Sequence, residues 1–68
     1  MANMIQLNAG KINLLMANDC LGPYEFCEKA SIHYNSYLRI TKGYPVKTIT
    51  AGKIAKALNV KVEDLLED

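Results

Sequence analysis

A chain of 68 residues, half of them hydrophobic and with a net charge of +1, has the composition of one small folded domain rather than a disordered segment. A domain this short buries only about 60% of its unfolded surface, so efficient helix packing or a partner has to make up for a modest core. Two cysteines, Cys20 and Cys27, are too few for a disulfide scaffold, and with His33 they fall short of the roughly four N or S ligands of a structural zinc site, so no metal and no cofactor is expected.

The apolar spacing and the punctuation predict about five short helices. The first spans Asn8 to Asn18, with Ala9, Ile12, Leu15 and Met16 inward and Asn8 able to cap its start. The second runs from Pro23 to about Ala30. Gly22 stands at its N-cap, Pro23 suits the first helical position, and Glu25 favours the dipole of the first turn. Phe26, Cys27 and Ala30 form its inner row. The third runs from Tyr34 to Lys42 and stops at Gly43, with His33 at its cap position. Here Ile32, Tyr37 and Ile40 point inward, and Tyr34, Asn35, Leu38 and Arg39 outward. The fourth covers about Thr48 to Leu58, with Thr48 as the expected cap and Ile54, Ala55 and Leu58 inward; Gly52 lies inside it and Asn59 ends it. The fifth is short, about Val62 to Glu67.

Only Ser31 to His33 separate the second and third helices. A turn that short makes a helix-turn-helix, here residues 23–42. Cys27 is the small residue that a close helix crossing needs. One position of such a turn tends to be left-handed, which suits glycine; Ser31 occupies it. The expected fold is therefore all-α, a single domain over residues 1–68 built as a compact bundle around a central helix-turn-helix.

Charge is distributed unevenly. Arg39, Lys42, Lys47, Lys53, Lys56 and Lys61 follow one another with no acid between them, while the acids are Asp19, Glu25, Glu28 and the tail Glu63, Asp64, Glu67 and Asp68. A basic block of this kind suits a polyanion, or else simply solvates a helix. No run approaches the roughly 18 apolar residues of a membrane span. The opening MANMIQLNAGK has neither a basic start nor a long apolar centre, so no secretory signal is expected and a reduced, cytoplasmic setting is the default. No nucleophile, base and orienting group come together in the sequence, with His33 the only histidine, so an enzyme is not expected.

The stretches LGPYEFCEKASIHYNSYLRITKG and KIAKALNVKVEDLLED resemble the Cro/repressor-type (lambda-repressor-like) helix-turn-helix family of phages and bacteria, over roughly Ile12 to Leu66. The resemblance implies a small sequence-specific DNA-binding transcriptional regulator that inserts its third helix in the major groove of double-stranded DNA, with a homodimer as a possible form. It assigns base contacts to His33, Tyr34, Asn35, Leu38 and Arg39, and phosphate contacts to Lys42, the backbone at Gly43, and Lys47. Asn can pair bidentately with adenine and Arg with guanine, and Asn35 and Arg39 share a face at i, i+4. The chain departs from the family at three places. Pro23 stands where the family has a phosphate-binding Gln, leaving the Tyr24 hydroxyl as the substitute. Met16 and Thr41 replace a buried Arg–Glu pair. His33 replaces a Ser or Thr cap.

Each of these residues also has an ordinary reading. Asn35 and Arg39 could line a solvated face, and Tyr34 could shield the core. Leu38 could touch a thymine methyl or anchor a protein. Cys20 and Cys27 read as small packing residues, not redox sensors. The apolar surplus of Leu65 and Leu66 with Met1 to Leu7 suits either intrachain packing or a dimer contact. A function of another class fits the same fold: a protein-binding module, such as a phage antirepressor docking on a repressor protein, for which the small net charge, the missing Gln at Pro23, and an exposed Tyr34 and Leu38 are the grounds.

Overall fold

The computed structural model describes residues 4–66. Among them the chain runs β1 (Met4–Ile5), α1 (Ala9–Asn18), α2 (Pro23–Ala30), α3 (Tyr34–Thr41), β2 (Val46–Lys47), α4 (Thr48–Ala57) and a 3-10 turn at Val62–Leu65. The fold is mostly helical, as the sequence implies, with a small sheet that the sequence does not announce. None of the described helices is long and apolar enough to cross a membrane.

Local chemistry sets the helix starts. The Asn8 side chain accepts from the Lys11 N–H at 3.1 Å, which caps α1. Pro23 opens α2, and the Glu25 carboxylate reaches back to accept from the Gly22 N–H at 2.9 Å. Lys47, not Thr48, is the N-cap of α4, and no side chain bonds there. The reason is that β2 runs directly into the helix, so Thr48 already has helical backbone.

All four helices end with the same device. One residue turns left-handed: Cys20 (φ 57°), Ser31 (φ 58°), Gly43 (φ 89°) and Asn59 (φ 59°). The residue after it donates its N–H back into the last full turn: Leu21 to Met16, Ile32 to Cys27, Tyr44 to Arg39 and Val60 to Ala55, at 2.9 to 3.0 Å. This is the Schellman closure, and an apolar residue after the turn covers the helix end. Three of the four closures are made without glycine.

The core is apolar throughout, with Phe26, Ile12, Ile54 and Leu65 fully buried. α2 packs on both α3 and α4. Met16 is buried, and Thr41 is exposed, its hydroxyl donating to the Leu38 carbonyl at 2.7 Å. No polar side chain is buried among the described residues: Met16 takes one of these places in the core and Thr41 stands at the surface.

The N-terminal segment is a structural part of the bundle. β1 pairs antiparallel with β2, Met4 opposite Lys47 and Ile5 opposite Val46, and Leu7 bridges Leu66. The Asn8 N–H donates to the Leu65 carbonyl at 2.7 Å, and the Gln6 side-chain amide to the Gly43 carbonyl at 2.8 Å. Leu7 is buried and Ile5 half-buried, while Met4 and Gln6 face out, the alternation of a half-buried strand.

This pairing corrects the expected fifth helix. Val62–Leu65 is a single 3-10 turn, and Leu66 has extended backbone (φ −76°, ψ 154°) because it is drawn alongside Leu7. Glu67, the expected end of that helix, lies outside the described residues, as does Met1 of the segment offered as a dimer contact. Leu38 and Tyr34, expected to point outward, are half-buried and pack against the core.

Candidate nucleic-acid interface

The α2–turn–α3 unit positions the candidate site. Ser31 reverses the chain with left-handed backbone (φ 58°, ψ 44°), as expected of that position, and His33 starts α3 as a cap without a side-chain bond. Tyr37 and Ile40 seat α3 in the core. That seating leaves His33, Asn35 and Arg39 exposed, followed by Lys42, Gly43 and, across the turn, Lys47. Arg39, Lys42 and Lys47 form no ion pair among the described residues, so each cation is available to an anion.

Four rings run from this face into the core. Tyr24, at the start of α2 and 72% exposed, stacks on Tyr34 with centroids 4.7 Å apart and planes 14° from parallel. Tyr34 meets Tyr37 at 5.9 Å, and Tyr37 meets Phe26 edge-on at 6.0 Å. Burial pushes the Tyr34 hydroxyl up from its ordinary pKa, and the neighbouring Tyr24 adds to the rise. Tyr34 is therefore a shield over the core with its outer face covered by Tyr24. The aromatic surface offered to a partner is that of Tyr24.

Arg39 does not hang free. Its guanidinium lies over the Tyr44 ring, 5.1 Å from the centroid, a cation–π contact. Beside it is a groove of about 280 Å³ lined by Met4, Ser36, Arg39, Pro45, Val46, Lys47 and Thr50. Two cations and two hydroxyls around one groove can hold an anionic oxygen cluster such as a phosphate. Gly43 contributes differently from the expectation. Its N–H donates to the Ile40 carbonyl and its own carbonyl accepts from Gln6, so both backbone groups are already engaged. Gly43 acts by shape, closing α3 so that Tyr44 comes back over Arg39.

Of the nine residues singled out in the sequence, seven are exposed and share this region, while Tyr34 and Leu38 are half-buried. Sequence reasoning overlooks Ser36, Tyr44 and Thr50. Ser36 could have been found from its i, i+3 spacing to Arg39. Tyr44 could have been found as the residue that follows a C-terminal glycine and folds back on the helix it ends. Compared with models of known protein families, with curated proteins and with solved structures, the chain finds no match.

Proposed function

We propose that the chain is a small sequence-specific DNA-binding regulator of the repressor/Cro type, with α2–turn–α3 as a helix-turn-helix. The observation that carries the reading is the outward row of α3. Asn35 and Arg39 are exposed one turn apart, unpaired with any acid, and flanked by the cations Lys42 and Lys47. A helix of this kind fits the major groove, where Asn35 reads adenine and Arg39 guanine. His33 lies at the leading end of the same helix. Lys42, Lys47 and the Tyr24 hydroxyl hold phosphates and set the register without carrying sequence information. The groove beside Arg39 receives one such phosphate through Lys47 and the Ser36 and Thr50 hydroxyls, leaving the Arg39 guanidinium for the base. No step of this reading needs a cofactor, a metal or a catalytic group.

The test is a mobility-shift titration on genomic fragments at two salt concentrations, followed by base-by-base substitution of the preferred fragment. Asn35→Ala and Arg39→Ala each relax preference at one base position, by about 1–3 kcal/mol. Lys42→Gln weakens all sequences alike and lowers the salt slope by about 1. Equal losses on every sequence for Asn35→Ala and Arg39→Ala together would remove base reading from the proposal.

A protein-docking role, as in an antirepressor, draws on one observation: Tyr24 is 72% exposed and rigidly backed by Tyr34. Such a ring makes a good interface anchor. Two of the sequence grounds for that role lose weight, since Tyr34 and Leu38 are both half-buried. Complex formation that survives high salt and is abolished by Tyr24→Ala favours docking over DNA reading.

A further inference from the structure

Four lysines outside the α3 face, Lys29, Lys53, Lys56 and Lys61, converge on a second one. Lys53 and Lys56 stand three apart on the outward side of α4, whose opposite side carries the buried Ala51, Ile54 and Ala55. A groove of about 370 Å³ joins them to Lys29, Ala30 and Ser31 at the end of α2. A second, of about 540 Å³, joins the same two lysines to Lys61. No residue of α3 lines either groove.

We propose that this lysine face binds the phosphate backbone of a second nucleic-acid segment while α3 occupies the first, so that one molecule bridges two segments. The identity of the first segment rests on the α3 reading; the lysine face does not. Residues 29, 53, 56 and 61 come from separate parts of the chain, and none forms an ion pair among the described residues. The ordinary explanation is the helix dipole, which favours cations in a last turn. It accounts for Lys29 and Lys56, which sit in the last turns of α2 and α4, and leaves Lys53 and Lys61 without a reason.

The lining identifies the partner as phosphate rather than protein. The groove walls carry Ala30, Ser31, Gly52 and Ala57, small enough to let a backbone approach, and a single acid, Glu63. They hold no aromatic ring and no arginine, the groups in which protein interfaces are enriched, and they are rich in lysine, which such interfaces lack. Lysine is a point charge suited to phosphate.

A tethered duplex loaded with the full chain, then exposed to a labelled second duplex at low salt, measures the bridging. The wild type captures the second duplex. The variant Lys29→Gln/Lys53→Gln/Lys56→Gln keeps binding of a single duplex within about threefold and loses at least about tenfold in second-duplex capture, each lost phosphate contact also lowering the salt slope by about 0.9. Lys53→Glu/Lys56→Glu does the same, with an unchanged circular dichroism spectrum as the check on folding. Capture by either variant equal to wild type, or no capture by a wild type whose single-duplex binding depends on α3, overturns the proposal. So does tighter binding of poly-glutamate than of duplex at equal charge, which would make the partner an acidic protein. An Asn35→Ala/Lys42→Gln/Lys47→Gln variant separates the two readings. If it binds a single duplex like wild type while the lysine-face variants do not, the α3 reading fails and the lysine face stands.

Discussion

The Tyr24 ring lies flat on the Tyr34 ring, centroids 4.7 Å apart, and so fastens the first turn of α2 to the first turn of α3. Two helices that otherwise meet at a crossing are thereby tied at the end that the DNA reading turns outward. Tyr24→Ala removes the tie and costs about 1 kcal/mol, the scale of an aromatic pair. Tyr24→Phe keeps the stack and removes the hydroxyl together with its hydrogen bond to Tyr34, a smaller loss than that of Tyr24→Ala. Urea denaturation of the two variants separates the stack from the hydroxyl. If the hydroxyl holds a phosphate, Tyr24→Phe also lowers the salt slope of DNA binding by about 1.

Arg39 and Tyr44 form a second tie, and its consequence for binding has a definite sign. An arginine that reaches a base edge has to leave the ring it rests on. An exposed cation–π contact is worth about 0.5–1 kcal/mol, so on the proposed DNA-reading role Tyr44→Leu tightens DNA binding by about two- to fivefold. Weaker binding by Tyr44→Leu, measured by fluorescence anisotropy on the preferred fragment, would instead make Tyr44 the support that holds Arg39 in its reading pose.

The helix closures give paired expectations of opposite sign. Gly43 has φ 89° and open space where a Cβ would stand, so Gly43→Ala costs only the backbone strain, about 1–2 kcal/mol. Ser31 and Cys20 hold similar left-handed backbone with a side chain already in place. Ser31→Gly and Cys20→Gly relieve strain against a loss of chain entropy, and each raises stability by up to about 1 kcal/mol. Asn59→Gly gains least, because Asn tolerates this conformation. Thermal unfolding of the four variants checks the order.

How much of this was legible follows from the range of each interaction. Asn8, Pro23 and Gly43 act within four residues, and they mark helix ends in the sequence as they do in the structure. Ser31 is the same kind of signal, recognised from the length of the turn it occupies. Asn35 and Arg39 share a face by helical spacing alone. The strands are another matter. Met4–Ile5 and Val46–Lys47 are two residues each, too short for any period, and only their pairing across the chain defines them. That unseen pairing is also what stops the last helix, by drawing Leu66 to Leu7. Helical spacing puts Leu38 and Tyr34 on the outward row, but it gives a direction and not a depth, and both are half-buried. Tyr24 and Tyr34 lie ten positions apart on different helices, and the crossing alone brings their rings together.

The N-terminal strand carries a prediction that its place in the sequence would not suggest. Leu7 is 2% exposed and belongs to the core cluster, so Leu7→Ala costs about 2–5 kcal/mol, the range for a buried leucine. Gln6→Ala, one residue away, loses a single exposed hydrogen bond to Gly43 and costs about 0.5–1.5 kcal/mol. Urea midpoints for the two neighbours test the strand's place in the fold. Equal, small effects would show that the segment is a tail.

Alkaline pH tests the buried side of the aromatic ladder. Burial pushes the Tyr34 hydroxyl up from its ordinary value, with Tyr24 adding to it, so the fold favours the neutral form. The unfolded chain releases the same proton near pH 10. Above that pH the unfolded state holds fewer protons than the folded state, and stability falls as pH rises. The contribution is complete below about pH 10 and is lost as pH climbs through the higher folded value. Cys27 acts in the same sense, since burial pushes its thiol up, but its fall begins lower, near the ordinary thiol value of 9.0. Tyr34→Phe therefore removes the Tyr34 share of the decline above pH 10 and keeps the one that starts with Cys27. Urea denaturation in steps from pH 8 to about 11 resolves the two, and an alkaline slope in Tyr34→Phe equal to that of the wild type would mean that the Tyr34 hydroxyl is as free to ionise in the folded chain as in the unfolded one.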